Sequence, residues 1–211
     1  KEELAKLNIE SEFINGLRVT NKQTMEVVEK ALVDFNIEII KKLEKKNCKS
    51  EGLNVCTNNV IIVDQENKNL GFVGKPRKIF NEKINIVIDK NVIPVLSPMG
   101  KGDDDQKYNI NADTAAAAVA KSLKSRRLLL MTDVEGVYDE NKKLINEIKP
   151  SEAKNLINKK IVQGGMIPKL LNSIDAIENG VRGVVIIDGR KIHSILYEIF
   201  SDEGAGTLIR K

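Results

Sequence analysis

The chain has 211 residues, of which 41% are hydrophobic, so it can bury a full core in one large or two small domains. Only seven of its 34 basic residues are arginines and only 4% of the chain is aromatic, which excludes the usual basic and aromatic footprint of a nucleic-acid binder. No apolar run is long enough to cross a bilayer or to form a signal-peptide core, so we expect a soluble, cytoplasmic protein without a membrane partner.

The first half of the chain predicts a long helix, a hairpin, a short helix and a strand. From Thr20 onward, three-and-four spacing of apolar residues indicates one face of an amphipathic helix that Thr20 or Asn21 can cap. The apolar positions on that face are Met25, Val28, Leu32, Phe35, Ile39 and Leu43. Short β-rich runs at 60–64 and 70–79 predict a small hairpin that could serve as a flap over a ligand. A short helix at 81–89 and an apolar strand at 92–97 follow.

The second half alternates helices and strands. The predicted helices span 111–123, 150–159, 165–179 and 193–200, and the predicted buried strands span 127–132 and 184–187. Such alternation is typical of the α/β class, with a mainly parallel central sheet and helices on both of its faces.

The segment Gly164-Gly165-Met166-Ile167-Pro168-Lys169 predicts an anion site. Two glycines open a helix whose first turn tolerates a proline and presents bare backbone N–H groups. Lys169 adds a positive charge in that turn, where the helix dipole disfavours it, so a bound phosphate would offset its cost. Taken alone, the pattern fits a glycine-rich loop followed by an ordinary surface lysine as well as it fits an anion site.

Three other turns carry polar side chains near predicted helix or strand ends. The alanine-rich helix is preceded by Asn109, Asn111 and Asp113. One of these polar side chains is enough to cap the helix, so the others are candidates for contact with a ligand in the crevice at this end of the sheet. A polar turn follows the strand 128–132 and suits either a nucleotide or an ordinary β-turn. Arg18 lies just ahead of a helix, where it can grip a carboxylate or simply face solvent.

Cysteine and histidine offer no metal site in this sequence. Cys48 and Cys56 belong to no CxxC pair, so we interpret them as free thiols. The only histidine, His193, is interpreted as a surface residue at a helix start rather than as part of a triad or a zinc site.

Several spaced motifs together resemble the amino-acid kinase superfamily and, within it, the N-acetylglutamate kinase family. In chain order they are GLRVT, NINADTAAA, TDVEGVYD, GGMIPK and EIFSDEGAGTLI. The resemblance implies ATP-dependent phosphorylation of the side-chain carboxylate of N-acetyl-L-glutamate in arginine biosynthesis, with Mg²⁺ on the nucleotide. It also implies that residues 1–98 contain what remains of a substrate-binding lobe with the hairpin flap, and that 99–211 form a nucleotide-binding lobe.

The resemblance assigns roles motif by motif. Lys169 matches a lysine that stabilises the transferring phosphoryl group, and Asp113 matches an aspartate that holds the catalytic lysines. Arg18 matches the residue that binds the α-carboxylate, while Asn109 and Asn111 belong to the substrate-binding motif. The implied nucleotide cradle consists of Asp133, Val134, Gly136, Val137, Tyr138, Ile161, Val162, Gln163, Gly164, Gly165 and Met166.

Two departures from the family pattern affect the expected activity. The family's Lys-x-Gly-Gly and His-Gly-Gly-Gly-Pro phosphate-binding motifs have no counterpart in these 211 residues, so we expect this chain alone to show little or no turnover. After Cys56, the chain has Thr57-Asn58-Asn59 where the family often has Gly-Lys-Asp.

A C-terminal segment resembles the feedback site of arginine-inhibited, hexameric family members. It contributes Glu198, Gly204 and Gly206 as possible arginine contacts, although Val185 stands where many such members have histidine. The resemblance therefore implies an arginine effector and a homo-oligomer, either a dimer or a hexamer.

Two other functions remain open on the sequence. The chain could be a non-catalytic binding or assembly module, although Lys169 and Asp113 have no obvious use there. It could also be another amino-acid kinase that acts on glutamate or uridylate.

Overall fold

The computed structural model describes residues 2–6, 8–14 and 17–211, and the chain packs as two compact units, Lys1–Ala115 and Ala116–Lys211. The lobe boundary predicted after residue 98 falls inside the first unit, because the next two strands hydrogen-bond into the sheet of that unit. The assignment of substrate and nucleotide to the two lobes is a separate matter and stays a prediction.

The first unit contains three helices, a 3₁₀ turn at Lys68–Leu70 and eight short strands among its described residues. In chain order its helices and strands are α1 (Glu2–Lys6), β1 (Phe13–Ile14), β2 (Leu17–Arg18), α2 (Lys22–Glu44), β3 (Ser50–Leu53), β4 (Ile61–Gln65), β5 (Gly74–Ile79), α3 (Asn81–Asp89), β6 (Ile93–Leu96), β7 (Met99–Lys101) and β8 (Lys107–Asn109). Helix α4 (Ala112–Ser122) runs across the boundary between the units.

The sheets of the first unit mix parallel and antiparallel pairs. The predicted hairpin is confirmed, since β4 and β5 pair antiparallel with Ile61 opposite Ile79. This hairpin is part of a four-stranded sheet in the order β5-β4-β7-β8, in which β4 and β7 run parallel. Strands β3 and β6 form a separate parallel pair, and α2 packs against both of them.

Helix α2 begins where a side-chain cap satisfies its first turn. Asn21 has an extended backbone, and its Oδ1 accepts the N–H of Thr24 at 2.8 Å, as a good N-cap residue should. On the predicted apolar face, Phe35 lines a cavity with Val28 and Leu32 and is 56% exposed, whereas its neighbour Asn36 is 2% exposed. Asn36 faces the β3–β6 pair instead, where its amide donates to the Val95 carbonyl at 2.8 Å.

The second unit is built on one four-stranded sheet. Its remaining elements are β9 (Leu128–Thr132), β10 (Glu147–Ile148), α5 (Pro150–Asn158), α6 (Met166–Glu178), β11 (Val184–Asp188), α7 (Ser194–Phe200) and β12 (Gly206–Ile209). The sheet order is β10-β12-β11-β9, with β9 parallel to β11 and β12 antiparallel to it. All five residues of β11 are buried, which explains why the sequence shows a continuous apolar run there.

The α/β class predicted from alternation is confirmed. The predicted helices at 81–89 and 165–179 appear as α3 and α6, within one residue at each end. No helix in the described part of the chain is long and apolar enough to span a membrane.

Candidate functional site

A polar turn follows strand β9 in the second unit. Residues 133–138 leave the sheet at Thr132 and return through a hairpin in which the Ile145 N–H donates to the Val137 carbonyl at 2.9 Å. Gly136 is required here by close packing, because a Cβ at this position would lie 2.5 Å from the Oγ of Thr207. The turn thus brings backbone rather than bulky side chains to the carboxyl end of a parallel strand, where α/β sheets place their ligands.

Helix α6 begins beside this turn with the predicted pair of glycines. Gly164 has φ of +58°, a left-handed conformation that a side chain would strain, and Gly165 is the N-cap in a helical conformation. A Cβ built on either glycine meets nothing within 4 Å. The space above these residues is therefore open to a ligand, and the helix N-terminus directs its dipole toward that space.

The turn and the helix start enclose a cavity of about 610 Å³. Every residue of the nucleotide cradle implied by the sequence, except Gly164, lines this cavity, and so does Lys169. The cavity thus combines a helix N-terminus, a cationic side chain and apolar walls such as Val137 and Ile161. This combination suits a ligand with an apolar ring and an anionic tail.

An ion-pair network beside the cavity was not foreseen from the sequence. Lys191 donates to Glu135 and holds the pKa of that carboxyl below its ordinary value, and the Tyr138 hydroxyl donates to Glu135 at 3.2 Å. Asp188 accepts the Nε, Nη2 and backbone N–H of Arg190, each at 2.9 Å. These bonds lower the pKa of Asp188 to about 2. The signal available in the sequence was an aspartate directly after a buried strand.

The first unit has its own cavity of about 570 Å³. Two predicted substrate residues, Arg18 on β2 and Asn109 at the end of β8, line it together with Val28 and Leu32 of α2. The Arg18 guanidinium donates to Ser11 and lies 4.7 Å from the ring centroid of Phe13. Gly16, the first residue of the GLRVT motif, lies outside the described residues.

The other residues of the second motif are engaged at the start of α4. The Oδ1 of Asn111 accepts the Thr114 N–H at 3.1 Å, so this side chain caps the helix as the simpler interpretation proposed. Asp113 lies in the first turn of α4, where a negative charge suits the helix dipole. Neither residue lines the cavity that contains Arg18 and Asn109.

The possible effector residues are near a third cavity, of about 800 Å³, in the second unit. Gly204 and Gly206 line it, but Glu198 does not. The buried carboxylate of Glu198 accepts the Ala205 N–H at 2.8 Å and lies 3.8 Å from the guanidinium of Arg127. The contacts of Glu198 are therefore with residues of this chain, and they hold the loop that precedes β12.

The structure contains the free thiols and the exposed histidine that the sequence predicts. Cys48 and Cys56 are both free, and His193 is an exposed residue at the start of α7. Burial and a hydrogen bond to Glu29 raise the pKa of the Cys56 thiol, so it is a poor nucleophile. No group of three or more histidine, cysteine, aspartate or glutamate residues suited to a metal occurs in the described ranges.

The chain is similar to known proteins over nearly its whole length. Residues 1–188 match the Amino acid kinase family. The acetylglutamate kinase of Pelagibacter ubique (strain HTCC1062) is 51% identical over 208 residues, which cover 99% of this chain and 72% of that protein. The acetylglutamate kinase of Clostridioides difficile (strain 630) is 46% identical, with 99% and 74% covered. The crystal structure of smu.665 from Streptococcus mutans UA159 matches with a TM-score of 0.86 at 30% identity, covering 99% of this chain and 80% of that chain.

Proposed function

Because the chain belongs to the amino acid kinase family, we propose that it transfers the terminal phosphoryl group of ATP to the side-chain carboxylate of N-acetyl-L-glutamate. The observation that carries this proposal is the identity of 42–51% to acetylglutamate kinases over 98–99% of the chain. The enzyme is accordingly a transferase of amino-acid biosynthesis, in the branch that leads to arginine.

The reaction needs charge neutralisation more than proton transfer. A glutamate side chain has an ordinary pKa of about 4.3, so the acceptor is already ionised at neutral pH and requires no general base. One carboxylate oxygen forms a bond to the γ-phosphorus, and the bond from that phosphorus to the bridging oxygen breaks, leaving its electron pair on ADP. The carboxylate and the γ-phosphate are both anions, so their repulsion adds to the activation barrier. Fixed positive charge at the site lowers this barrier.

The second unit supplies the groups that suit the nucleotide. We assign the adenosine part to the apolar walls of the 610 Å³ cavity and the phosphates to the start of α6. Lys169 is the residue we assign to the developing charge on the transferring phosphoryl group. Magnesium ions in kinases are bound by the phosphates of the nucleotide together with one or two carboxylates. The ion when bound would draw charge from the phosphate oxygens.

The first unit supplies the groups that suit the acceptor. Arg18 can form a bidentate pair with an α-carboxylate, and the amide of Asn109 can pair with the acetamido group. We assign Asn111 to the same substrate motif through its cap of α4, which fixes the start of that helix. Asp113 is assigned as the residue that positions the catalytic lysines.

The test of the function is a comparison of acceptors and of two polypeptides. The first polypeptide is this 211-residue chain, and the second carries in addition the N-terminal segment of the Pelagibacter ubique relative. ADP release is measured in the presence of Mg-ATP and N-acetyl-L-glutamate, L-glutamate or uridylate, and the acyl phosphate formed from either carboxylate acceptor is trapped with hydroxylamine. We expect turnover with N-acetyl-L-glutamate by the extended polypeptide and little by the shorter one, which lacks the two family motifs.

Each alternative function has its own outcome in this experiment. Preference for glutamate or uridylate would replace the acceptor that we propose. Binding of N-acetyl-L-glutamate without turnover by either polypeptide, measured by calorimetry, would instead favour the non-catalytic binding module.

Arginine feedback and oligomeric state are separate proposals. We propose L-arginine as an effector on the strength of the C-terminal motif alone, and a homo-oligomer, dimer or hexamer, on the same resemblance. An inhibition curve of the extended polypeptide that stays flat up to millimolar arginine would remove the effector. Light scattering of the same sample gives the oligomeric state.

A further inference from the structure

The start of strand β12 lies directly against the turn that lines the nucleotide cavity. Gly206 is so close that a Cβ there would overlap the carbonyl oxygen of Ile186 and lie 2.9 Å from that of Glu135. On the other side of the contact, a Cβ on Gly136 would lie 3.1 Å from the backbone nitrogen of Thr207. Each glycine therefore lies against backbone atoms of the segment that contains the other, Gly206 against Glu135 and Gly136 against Thr207, and neither position has room for a side chain.

Thr207 joins the two segments with its hydroxyl. The side chain is fully buried, and its Oγ accepts the Val137 N–H at 2.8 Å and donates to the Ile145 carbonyl at 2.6 Å. Both partners belong to the hairpin that begins with the polar turn. One hydroxyl thus satisfies a buried donor and a buried acceptor, and an apolar replacement would leave both unsatisfied.

Thr207 does not line the cavity, whereas Gly136 and Val137 do. We infer that Thr207 is a positioning residue, which fixes the 133–138 turn in the shape that receives the nucleotide. This inference rests on the proposed assignment of the nucleotide to that cavity. A turn that already has its binding conformation loses no conformational entropy when the ligand binds. Because the Thr207 hydroxyl holds that conformation, the affinity for nucleotide should depend on it.

The first measurement is amide hydrogen exchange of the ligand-free chain. Thr207→Val keeps the shape of the side chain and removes both hydrogen bonds, and we expect exchange across residues 133–138 to become about ten-fold faster. Thr207→Ser keeps the hydroxyl and should restore protection. The control is Ile209→Val, also buried on β12, which trims the core without touching the turn. Unchanged exchange in Thr207→Val would overturn the inference.

The second measurement is calorimetric titration of the same variants with Mg-ADP. We expect Thr207→Val to bind about ten-fold more weakly, Thr207→Ser to bind like the original chain, and Ile209→Val to bind normally despite a lower melting temperature. Equal losses in Thr207→Val and Ile209→Val would show that affinity merely follows stability, which overturns the inference. If neither the original chain nor the extended polypeptide bound nucleotide, the proposed function would fail, and the exchange measurement would still decide whether Thr207 holds the turn.

Discussion

Lys169 stands in the first turn of α6, at the positive end of the helix dipole, so its charge has a stability cost that a bound anion offsets. In the extended polypeptide, we expect Lys169→Met to lower kcat by about 10²–10³, the usual effect of removing one group that stabilises developing charge. Lys159→Met is the matched control, because that lysine is exposed at the end of α5. Equal rates in the two variants would remove Lys169 from the reaction.

Gly136 and Gly165 both border the cavity but for different physical reasons. Gly136 is packed against Thr207, so Gly136→Ala should destabilise the fold by about 1–3 kcal/mol through overpacking. Gly165 meets nothing within 4 Å, so Gly165→Ala should leave urea unfolding nearly unchanged and instead weaken Mg-ATP binding, because the methyl group occupies phosphate space. Normal nucleotide affinity in Gly165→Ala would show that the phosphates lie elsewhere.

Asp188 makes stability depend on acid pH. Its pKa is lowered from 3.8 to about 2 by the Arg190 side chain and backbone, so the unfolded chain takes up this proton first as the pH falls. The stabilisation is complete above pH 3.8 and is lost as the pH falls toward 2. Melting curves of the original chain and Asp188→Asn should therefore differ most near neutral pH and converge in acid. A constant gap across that range would contradict the assignment, and Asp202→Asn, an exposed aspartate, serves as the control.

At the scale of elements, the cap of α2 offers a direct test of local structure. Asn21→Ala removes the acceptor for the Thr24 N–H and should lower the free energy of unfolding by about 1 kcal/mol. Asn21→Asp keeps an acceptor and should be nearly neutral. Chemical denaturation measures both, and an alanine variant as stable as the original would mean that water replaces the cap.

The long helices can be predicted from the periodic spacing of their apolar residues. Some short strands cannot, because they are strands only through pairing with segments that are distant in the sequence. Helices α2, α3 and α6 follow from spacing and caps that the sequence displays locally. Strand β3 was missed because Ser50–Leu53 has no β-rich composition and is a strand only through its pairing with β6. Phe35 lies on the predicted apolar face yet is 56% exposed, because periodicity finds an apolar face but not its partner.

The sequence predicts the residues that line the candidate site but not the residues that hold them in position. The cradle residues and Lys169 were named from motifs, and the structure gathers all of them but Gly164 around one cavity. Thr207, Glu135 and Lys191 act through hydrogen bonds across 56 to 70 positions of sequence, which no local pattern displays.

At the scale of the whole molecule, each ligand should protect a different unit. We expect Mg-ATP to slow amide exchange in the second unit and N-acetyl-L-glutamate to slow it in the first, because each ligand stabilises the residues that it binds. Arg18→Ala should abolish only the protection by N-acetyl-L-glutamate. Protection of one and the same unit by both ligands would contradict the assignment of Arg18 and Asn109 to the acceptor.

The buried strand β11 also has consequences for how this protein can be handled. It pairs with β9, about 56 positions earlier, and with β12, about 22 positions later, so much of its sheet depends on contacts distant in sequence, which form slowly. Until they form, the run Val184–Asp188 exposes four consecutive β-branched apolar residues, which favours aggregation. Refolding from denaturant should therefore succeed in dilute solution and give precipitate at high protein concentration.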